Sequence, residues 1–254
     1  MCLLALAWDP AAPRRVVLVG NRDEFHDRPT APLDWWGAPP LLGGRDLTAG
    51  GTWLGVDARG RFGAITNFRG ASVPAGAPSR GALIPRFLAG EARPLEFLGS
   101  VARDAGRYAG FSLLVGDARE LGYLCNQESG GPRLLGAGVY GLSNASLDAP
   151  WPKLVVSRNA LAARLAAPLT DAATLLDLLA DRGEAADSEL PDTGVGLDSE
   201  RRLSAAFVVG PAYGTRSTTA VLLAADGSGE VAERSYAADG RATGTRLLRI
   251  AGAR

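Results

Sequence analysis

The segments CLLALAW and RVVLVGN, residues 2–8 and 15–21, constrain the fold of this chain more than any other feature. Both are short, rich in strand formers and apolar at nearly every position, and the turn-forming DPAAPR separates them. A strand wetted on one side alternates apolar and polar residues, whereas a strand without alternation is covered on both faces. The hairpin therefore predicts a sheet with one layer above it and another below.

The rest of the chain extends that pattern. GGTWLGVDARGRFGAITNF reads as a second strand pair around the turn DARG. RGALIPRFLAG and RPLEFLGSVARDAGRYA then read as helical, with Leu95, Leu98, Ala102 and Ala105 as the periodic stripe. GFSLLVGD, LGYLCN and GVYGLSN are strand-like, and helices are expected over Lys153–Ala166 and Asp171–Arg182. The polar, acidic stretch GEAADSELPDTGVGLDSERR reads as an exposed loop. LSAAFVVG, TRSTTAVLLAADG and GEVAERSYAADG close the chain as an antiparallel meander. Runs of strands alternating with pairs of helices, rather than single βαβ units, imply antiparallel sheets sandwiched between helical layers.

Composition narrows the function. The chain has 254 residues, enough for one large domain or two small ones, and 46% of them are hydrophobic. With 27 basic and 27 acidic residues the formal charge is zero, which offers no electrostatic footprint for nucleic acid. No stretch approaches the roughly 18 apolar residues of a membrane span. The start of the chain lacks a basic n-region, and Asp9 and Pro10 interrupt its apolar run, so it does not read as a signal peptide. Cys2 and Cys125 stand in no CxxC spacing and His26 is the single histidine, so no metal-ligand set is expected. Free thiols fit a reducing compartment, and the expected location is the cytoplasm.

Three motifs can be set aside. GAGVYG, residues 136–141, spells GxGxxG, but LSNASLDAPWP follows it and its prolines forbid the helix a dinucleotide site needs. A serine triad would have to use His26 and has no GxSxG elbow. Cys125, inside a predicted strand, reads as a small core hydrophobe.

Cys2 carries a different possibility. If an aminopeptidase removes Met1, one residue holds both a thiol and an α-amine, whose pKa of about 7.7–8.0 suits a general base. That is the arrangement of an N-terminal nucleophile. The hairpin returns GNRDE toward the start of its first strand, within reach of Cys2. There an arginine would favour the thiolate and an acid would hold the ammonium.

The ordered set MCLLALAW, NRDEF with RPTAP, GGTWLGV, AITNFR, GLSNASLDAPWPK, LPDTGV and YGTRSTTAVLL resembles the NRDE family, also known through its animal transport-and-Golgi-organisation member. The resemblance runs from Met1 to about Leu223. It implies an α+β chain, one domain over residues 1–254, folded as the αββα sandwich of N-terminal nucleophile hydrolases. More distantly it is similar to cysteine amidases that cleave bile salts and penicillin V. By motif, Cys2 would be the nucleophile, and Arg22 with Asp23 or Glu24 its supporting pair. Asn67 and Asn144 would be oxyanion donors, and Arg216 a late arginine for a substrate carboxylate. Asn21, Glu24, Trp53 and Thr66 would contact substrate, and Trp35 and Trp36 could add apolar surface. Family members are also associated with haem trafficking and acyl-CoA metabolism. The resemblance thus implies either a hydrolase of a small acyl amide or thioester, with no cofactor required, or a carrier with haem as cargo.

Overall fold

The computed structural model describes residues 2–168 and 170–252. The opening hairpin pairs β1 (Cys2–Trp8) with β2 (Arg14–Phe25) antiparallel. β2 also pairs with β11 (Tyr213–Ala224), and β12 (Ser228–Tyr236) and β13 (Ala242–Ala251) continue outward. β10 (Gly138–Leu142) borders β1 on the other side and completes a six-stranded sheet. The second sheet has seven antiparallel strands in sequence order. They are β3 (Thr30–Trp35), β4 (Leu41–Asp46), β5 (Leu54–Asp57), β6 (Phe62–Asn67), β7 (Phe111–Gly116), β8 (Leu121–Cys125) and β9 (Arg133–Leu135). Among the described residues, no helix is long and apolar enough to cross a membrane.

Three apolar clusters make this a four-layer αββα sandwich. Between the sheets lie Leu4, Leu6 and Leu18 of one and Val56, Phe62 and Leu114 of the other. The opposite face of the first sheet, with Leu3, Val17 and Val19, packs under α3 (Pro152–Arg164) and the segment holding Leu175 and Leu179. The outer face of the second sheet packs against α1 (Leu83–Ala89) and α2 (Pro94–Arg103). Even and odd residues of β1 and β2 thus enter different cores, which is why both strands are apolar without alternation.

Several expectations are corrected. The opening hairpin is followed at once by a strand that its sequence did not announce, β3, which belongs to the second sheet. In α2 the buried stripe is Phe97, Leu98 and Val101, and Leu95 faces solvent. Leu98 seats against Gly122, where a Cβ would collide with it. The expected helix over 171–182 is a 3-10 turn, Ala172–Leu175, followed by irregular chain. Its continuation is diverted: the Leu179 carbonyl accepts from the Asn21 amide and the Asp181 carbonyl from the Phe207 N–H. LSAAFVVG is no strand; it ends α4 (Leu197–Ser204) and then runs as irregular chain. α4 itself lies in the stretch expected to be an exposed loop, and it buries Glu200.

One buried cation ties the sheets at the end away from Cys2. Arg15 is fully buried, and its guanidinium donates to the carbonyls of Ala224 (2.8 Å), Asp117 (2.5 Å) and Gly60 (2.8 Å). These carbonyls belong to the end of β11 in one sheet and to two turns of the other. Arg15→Met keeps much of the stem packing but orphans the Asp117 and Gly60 carbonyls, each costing about 1–3 kcal/mol when buried, while the Ala224 carbonyl keeps the Gly227 N–H at 3.1 Å. Urea denaturation should show a loss of roughly 2 kcal/mol or more, with little change in circular dichroism before the transition.

Candidate active site

The site begins with a register. Cys2 lies directly opposite Arg22, and Leu3 opposite Asn21. Directly opposed residues share a face, so Cys2 and Arg22 both point between the sheets, as Leu4 and Leu18 do. Burial pushes the Cys2 thiol above its ordinary value, and the Arg22 charge acts the other way. Arg22 is itself buried. Its Nη2 lies 3.7 Å from Glu24 and 3.8 Å from Asp46, and its guanidinium stacks over Trp53 at 4.6 Å. Its Nη1 has no hydrogen-bond partner among the described residues. Gly44 makes room for this stack, because a Cβ there would collide with the Trp53 ring.

The two asparagines meet near the start of β1. Beyond β10, the Ser143 hydroxyl donates to the Cys2 carbonyl (3.1 Å). The amide of buried Asn144 then donates to the Asn67 carbonyl at the end of β6 (3.0 Å), and the Asn144 carbonyl accepts from the Arg69 N–H (2.8 Å). These bonds join the two sheets next to Cys2. Asn67 is half-buried and lines a cleft of about 560 Å³ with Phe25, Val195, Leu203, Val208 and Tyr213. Thr66 is buried, and its hydroxyl has no hydrogen-bond partner among the described residues.

The opposite face of β2 carries a second charged group. The Thr215 hydroxyl donates to Asp23 Oδ1 (2.7 Å), and the Tyr213 hydroxyl to the Asp23 carbonyl (2.9 Å). Burial pushes the Asp23 carboxyl up, and Lys153 opposes it. Lys153 is buried on α3, where its Nζ donates to the Leu203 carbonyl (2.7 Å). Burial lowers its pKa to about 8, against the opposing pull of Asp23. Arg69 and Glu200 form a buried ion pair at 2.5 Å nearby, with Arg69 stacked on Trp151.

Of the residues expected at the site, Cys2, Arg22, Glu24, Asn67, Asn144 and Trp53 share the end of the inter-sheet space or its border. Asp23 and Asn21 face the helical layer. All polar atoms of the Asn21 side chain are engaged: it donates to Leu179 and Ala206 and accepts from Thr218. Arg216 sits at a bulge in β11, and its Nη1 holds the carbonyls of Phe25, His26 and Arg28. Trp36 belongs to the outer core and Trp35 faces solvent. His26 Nε2 is hydrogen-bonded to the Gly210 carbonyl (2.9 Å). Sequence reasoning missed Asp46, Arg69, Glu200 and the position of Lys153; Lys153, as the single lysine, and Arg69, as the last residue of AITNFR, carried a signal. No group of three or more metal-binding side chains occurs among the described residues.

Comparison with known proteins agrees with this architecture. A family described as Transport and Golgi organisation 2 matches residues 1–238. The Transport and Golgi organization protein 2 homolog of Bos taurus is 34% identical over 257 residues, covering 92% of this chain and 93% of that protein. The Homo sapiens homolog is 34% identical over 260 residues with the same coverage. Among solved structures, a Caenorhabditis elegans ortholog of N-acylethanolamine-hydrolyzing acid amidase superposes with a TM-score of 0.50 at 9% identity. It covers 88% of this chain and 93% of its own. A mutant conjugated bile acid hydrolase from Clostridium perfringens gives 0.55 at 9% identity, covering 98% and 92%. At that identity the likeness is one of fold: both neighbours are hydrolases of the N-terminal nucleophile type.

Lys153 has a measurable consequence. Its folded pKa near 8 lies below the ordinary 10.5, so between these values the unfolded chain binds more protons. Stability therefore rises with pH across that window, by roughly 3 kcal/mol in all. Lys153→Met should lack this rise when unfolding free energy is measured from pH 8 to 10.5.

Proposed function

The chain belongs to the Transport and Golgi organisation 2 family, and within it we propose a cysteine hydrolase acting on an amide or thioester of a small amphipathic acyl compound. The observation that carries this reading is the Cys2–Arg22 register, with a guanidinium nitrogen of Arg22 that has no hydrogen-bond partner among the described residues and the Asn67–Asn144 bond alongside.

With Met1 removed, the Cys2 α-amine takes the thiol proton as sulfur attacks the substrate carbonyl carbon. A carbon–sulfur bond forms and the carbonyl electrons move onto oxygen. Amide donors of Asn144 and Asn67 receive that oxyanion; one such donor contributes about 2.7–4 kcal/mol in comparable sites. Collapse breaks the bond to the leaving amine or thiol, which departs with the proton from the ammonium. Water then attacks the acyl-enzyme, gives a proton to the α-amine, and the thiol leaves with the carboxylic acid as product. Arg22 favours the thiolate form throughout, and Glu24 and Asp46 hold its guanidinium in place. Asp23 supplies negative charge on the opposite face of the same strand.

The 560 Å³ cleft at Asn67 suits the acyl portion, because Phe25, Val195, Val208, Val209 and Pro211 line it. Cys2 and Cys125 are both free thiols, which fits the cytoplasm. The same apolar lining would also suit non-catalytic carriage of haem or acyl-CoA. For haem, His26 as axial ligand would have to give up its bond to Gly210. A Soret titration with wild type and His26→Ala reads that alternative directly.

The hydrolase reading is tested by intact mass and turnover. Purified protein should lack Met1 and accumulate an acyl adduct on Cys2 with medium-chain acyl anilides or thioesters. Cys2→Ala and Cys2→Ser should remain folded and lose roughly 10³-fold or more of the acyl release. Unchanged release by folded Cys2→Ala removes the proposal.

A further inference from the structure

We propose that a second cleft, over β11, β12 and β13, is a subsite for an uncharged, hydroxyl-rich group of the substrate, the part that departs when the bond to Cys2 forms. This rests on the hydrolase reading and extends it to the leaving group.

The cleft encloses about 450 Å³. The sheet register connects it to the nucleophile. Cys2 pairs with Arg22, Arg22 with Ser217, Ser217 with Ser235 and Ser235 with Gly244. Residues opposed in this way share a face, so one row runs from the thiol to the edge of the sheet. At a strand spacing of about 4.8 Å, Ser217 stands roughly 10 Å from Cys2 and Ser235 roughly 14 Å. The row ends at Gly244, where an added Cβ would meet nothing within 4 Å. A group joined to a carbonyl at Cys2 and lying along this row extends over Arg22 into the cleft.

Two buried polar atoms, one in the cleft and one on the row leading to it from Cys2, point to a ligand. Ser217 lines the cleft at 5% exposure, and its hydroxyl, beside Glu233, makes no hydrogen bond of normal geometry to a described residue. Arg22, at 4% exposure, has its Nη1 unpartnered. Buried polar groups left in this condition cost stability unless something satisfies them. Arg22 requires an acceptor next to the reacting bond, and Ser217 can use either a donor or an acceptor.

The lining indicates what kind of group fits. Thr30, Ser235, Thr243 and Thr245 add four more hydroxyls. The charged members are already engaged. Arg246 pairs with Asp34 at 2.9 Å, and Arg216 holds three carbonyls. The carboxylate of Glu233 accepts from the Leu33 N–H (2.7 Å) and the Thr219 hydroxyl (2.9 Å). A surface of hydroxyls whose charged side chains are already bound by protein groups recognises a neutral polyhydroxylated group, of which a sugar is the simplest probe.

Cys2 itself serves as the reporter. Iodoacetamide and N-iodoacetylglucosamine deliver the same reactive carbon, with and without a hydroxyl-rich tail. The sugar reagent should alkylate Cys2 about tenfold faster at low concentration, equivalent to 1.4 kcal/mol of binding, and its rate should saturate. Gly244→Trp, which fills the cleft from an open position, should bring the ratio of the two rates close to one. Equal rates in wild type, or a preference that survives Gly244→Trp, overturns the subsite. A second measurement does not depend on thiol reactivity: saturation-transfer NMR of methyl β-glucoside with Cys2→Ala protein. A signal lost on adding Gly244→Trp supports the cleft. No signal, or one abolished by inorganic phosphate at equal concentration, overturns it, the latter in favour of an anion site. Failure of iodoacetamide to label Cys2 removes the nucleophile alone.

Discussion

The pairing of Cys2 with Arg22 fixes most of what surrounds it. Side chains in a strand alternate faces, so a slip of one residue between β1 and β2 would invert every assignment at this end of the sheet. In the observed register Arg22 and Glu24 enter the inter-sheet space, while Asn21 and Asp23 enter the helical layer. β11 must match this alternation from the other side, and a bulge lets it do so. Thr215 pairs with Asp23 and Ser217 with Arg22, although two steps on β11 then correspond to one on β2. Arg216 is the extra residue. Were Arg216 to pair regularly, with no bulge, Thr215 and Ser217 would lie on one face, and either Asp23 or Arg22 would lose its hydroxyl neighbour.

Concentrating charge inside a sandwich is costly, and the fold offsets the cost by geometry. Burying an ion without a partner is strongly unfavourable, so the interior charges occur in balanced sets. On the inter-sheet side Arg22 and Arg28 share Glu24 and Asp46. On the helical side Asp23 and Glu200 stand among Lys153 and Arg69. Glu233 is anchored by the backbone of β3, the counterpart of Arg15 at the far end of the sandwich. Polar ties that bridge the sheets at both ends leave the middle wholly apolar. They also hold the thiol's neighbours rigidly, as a site that must not reorganise during reaction requires.

Much of this was legible in the sequence. Uninterrupted apolarity in β1 and β2 demands cover on both faces, and the sandwich follows from it. A hairpin with a short turn brings its ends together, so Cys2 and NRDE had to meet. Strand period also separates Arg22 and Glu24 from Asp23, a distinction that reading NRDE as one motif obscures. What was not legible depended on distant partners. The Leu-rich stretch around Leu175–Leu179 has helical spacing, but Asn21 takes one of its carbonyls. Glu200 looks like a solvated charge until Arg69, far away in sequence, is placed against it. Arg216 looks free to bind a carboxylate until the 25–28 turn folds onto its Nη1.

The two ends of the candidate site are built from different material. Cys2, Arg22, Asn67 and Ser217 all sit on strands whose positions the ladder hydrogen bonds dictate. The apolar cleft beside them is assembled largely from residues 195–212, a short helix flanked by irregular chain. Scattered bonds rather than a continuous ladder fasten that segment to the sheet, such as the Asn21 amide to the Ala206 carbonyl and the reciprocal pair between Val208 and Thr215. Irregular segments accept sequence change more readily than paired strands do. A lineage using this fold can therefore alter the apolar wall, and with it the compounds admitted, while the thiol and its arginine remain in register. Thr215 limits that freedom, because it fastens the wall at Val208 and also bonds Asp23. Changes in the wall that disturb Thr215 would reach the charged cluster behind the nucleophile, so variation in specificity is expected to spare the contact between Val208 and Thr215.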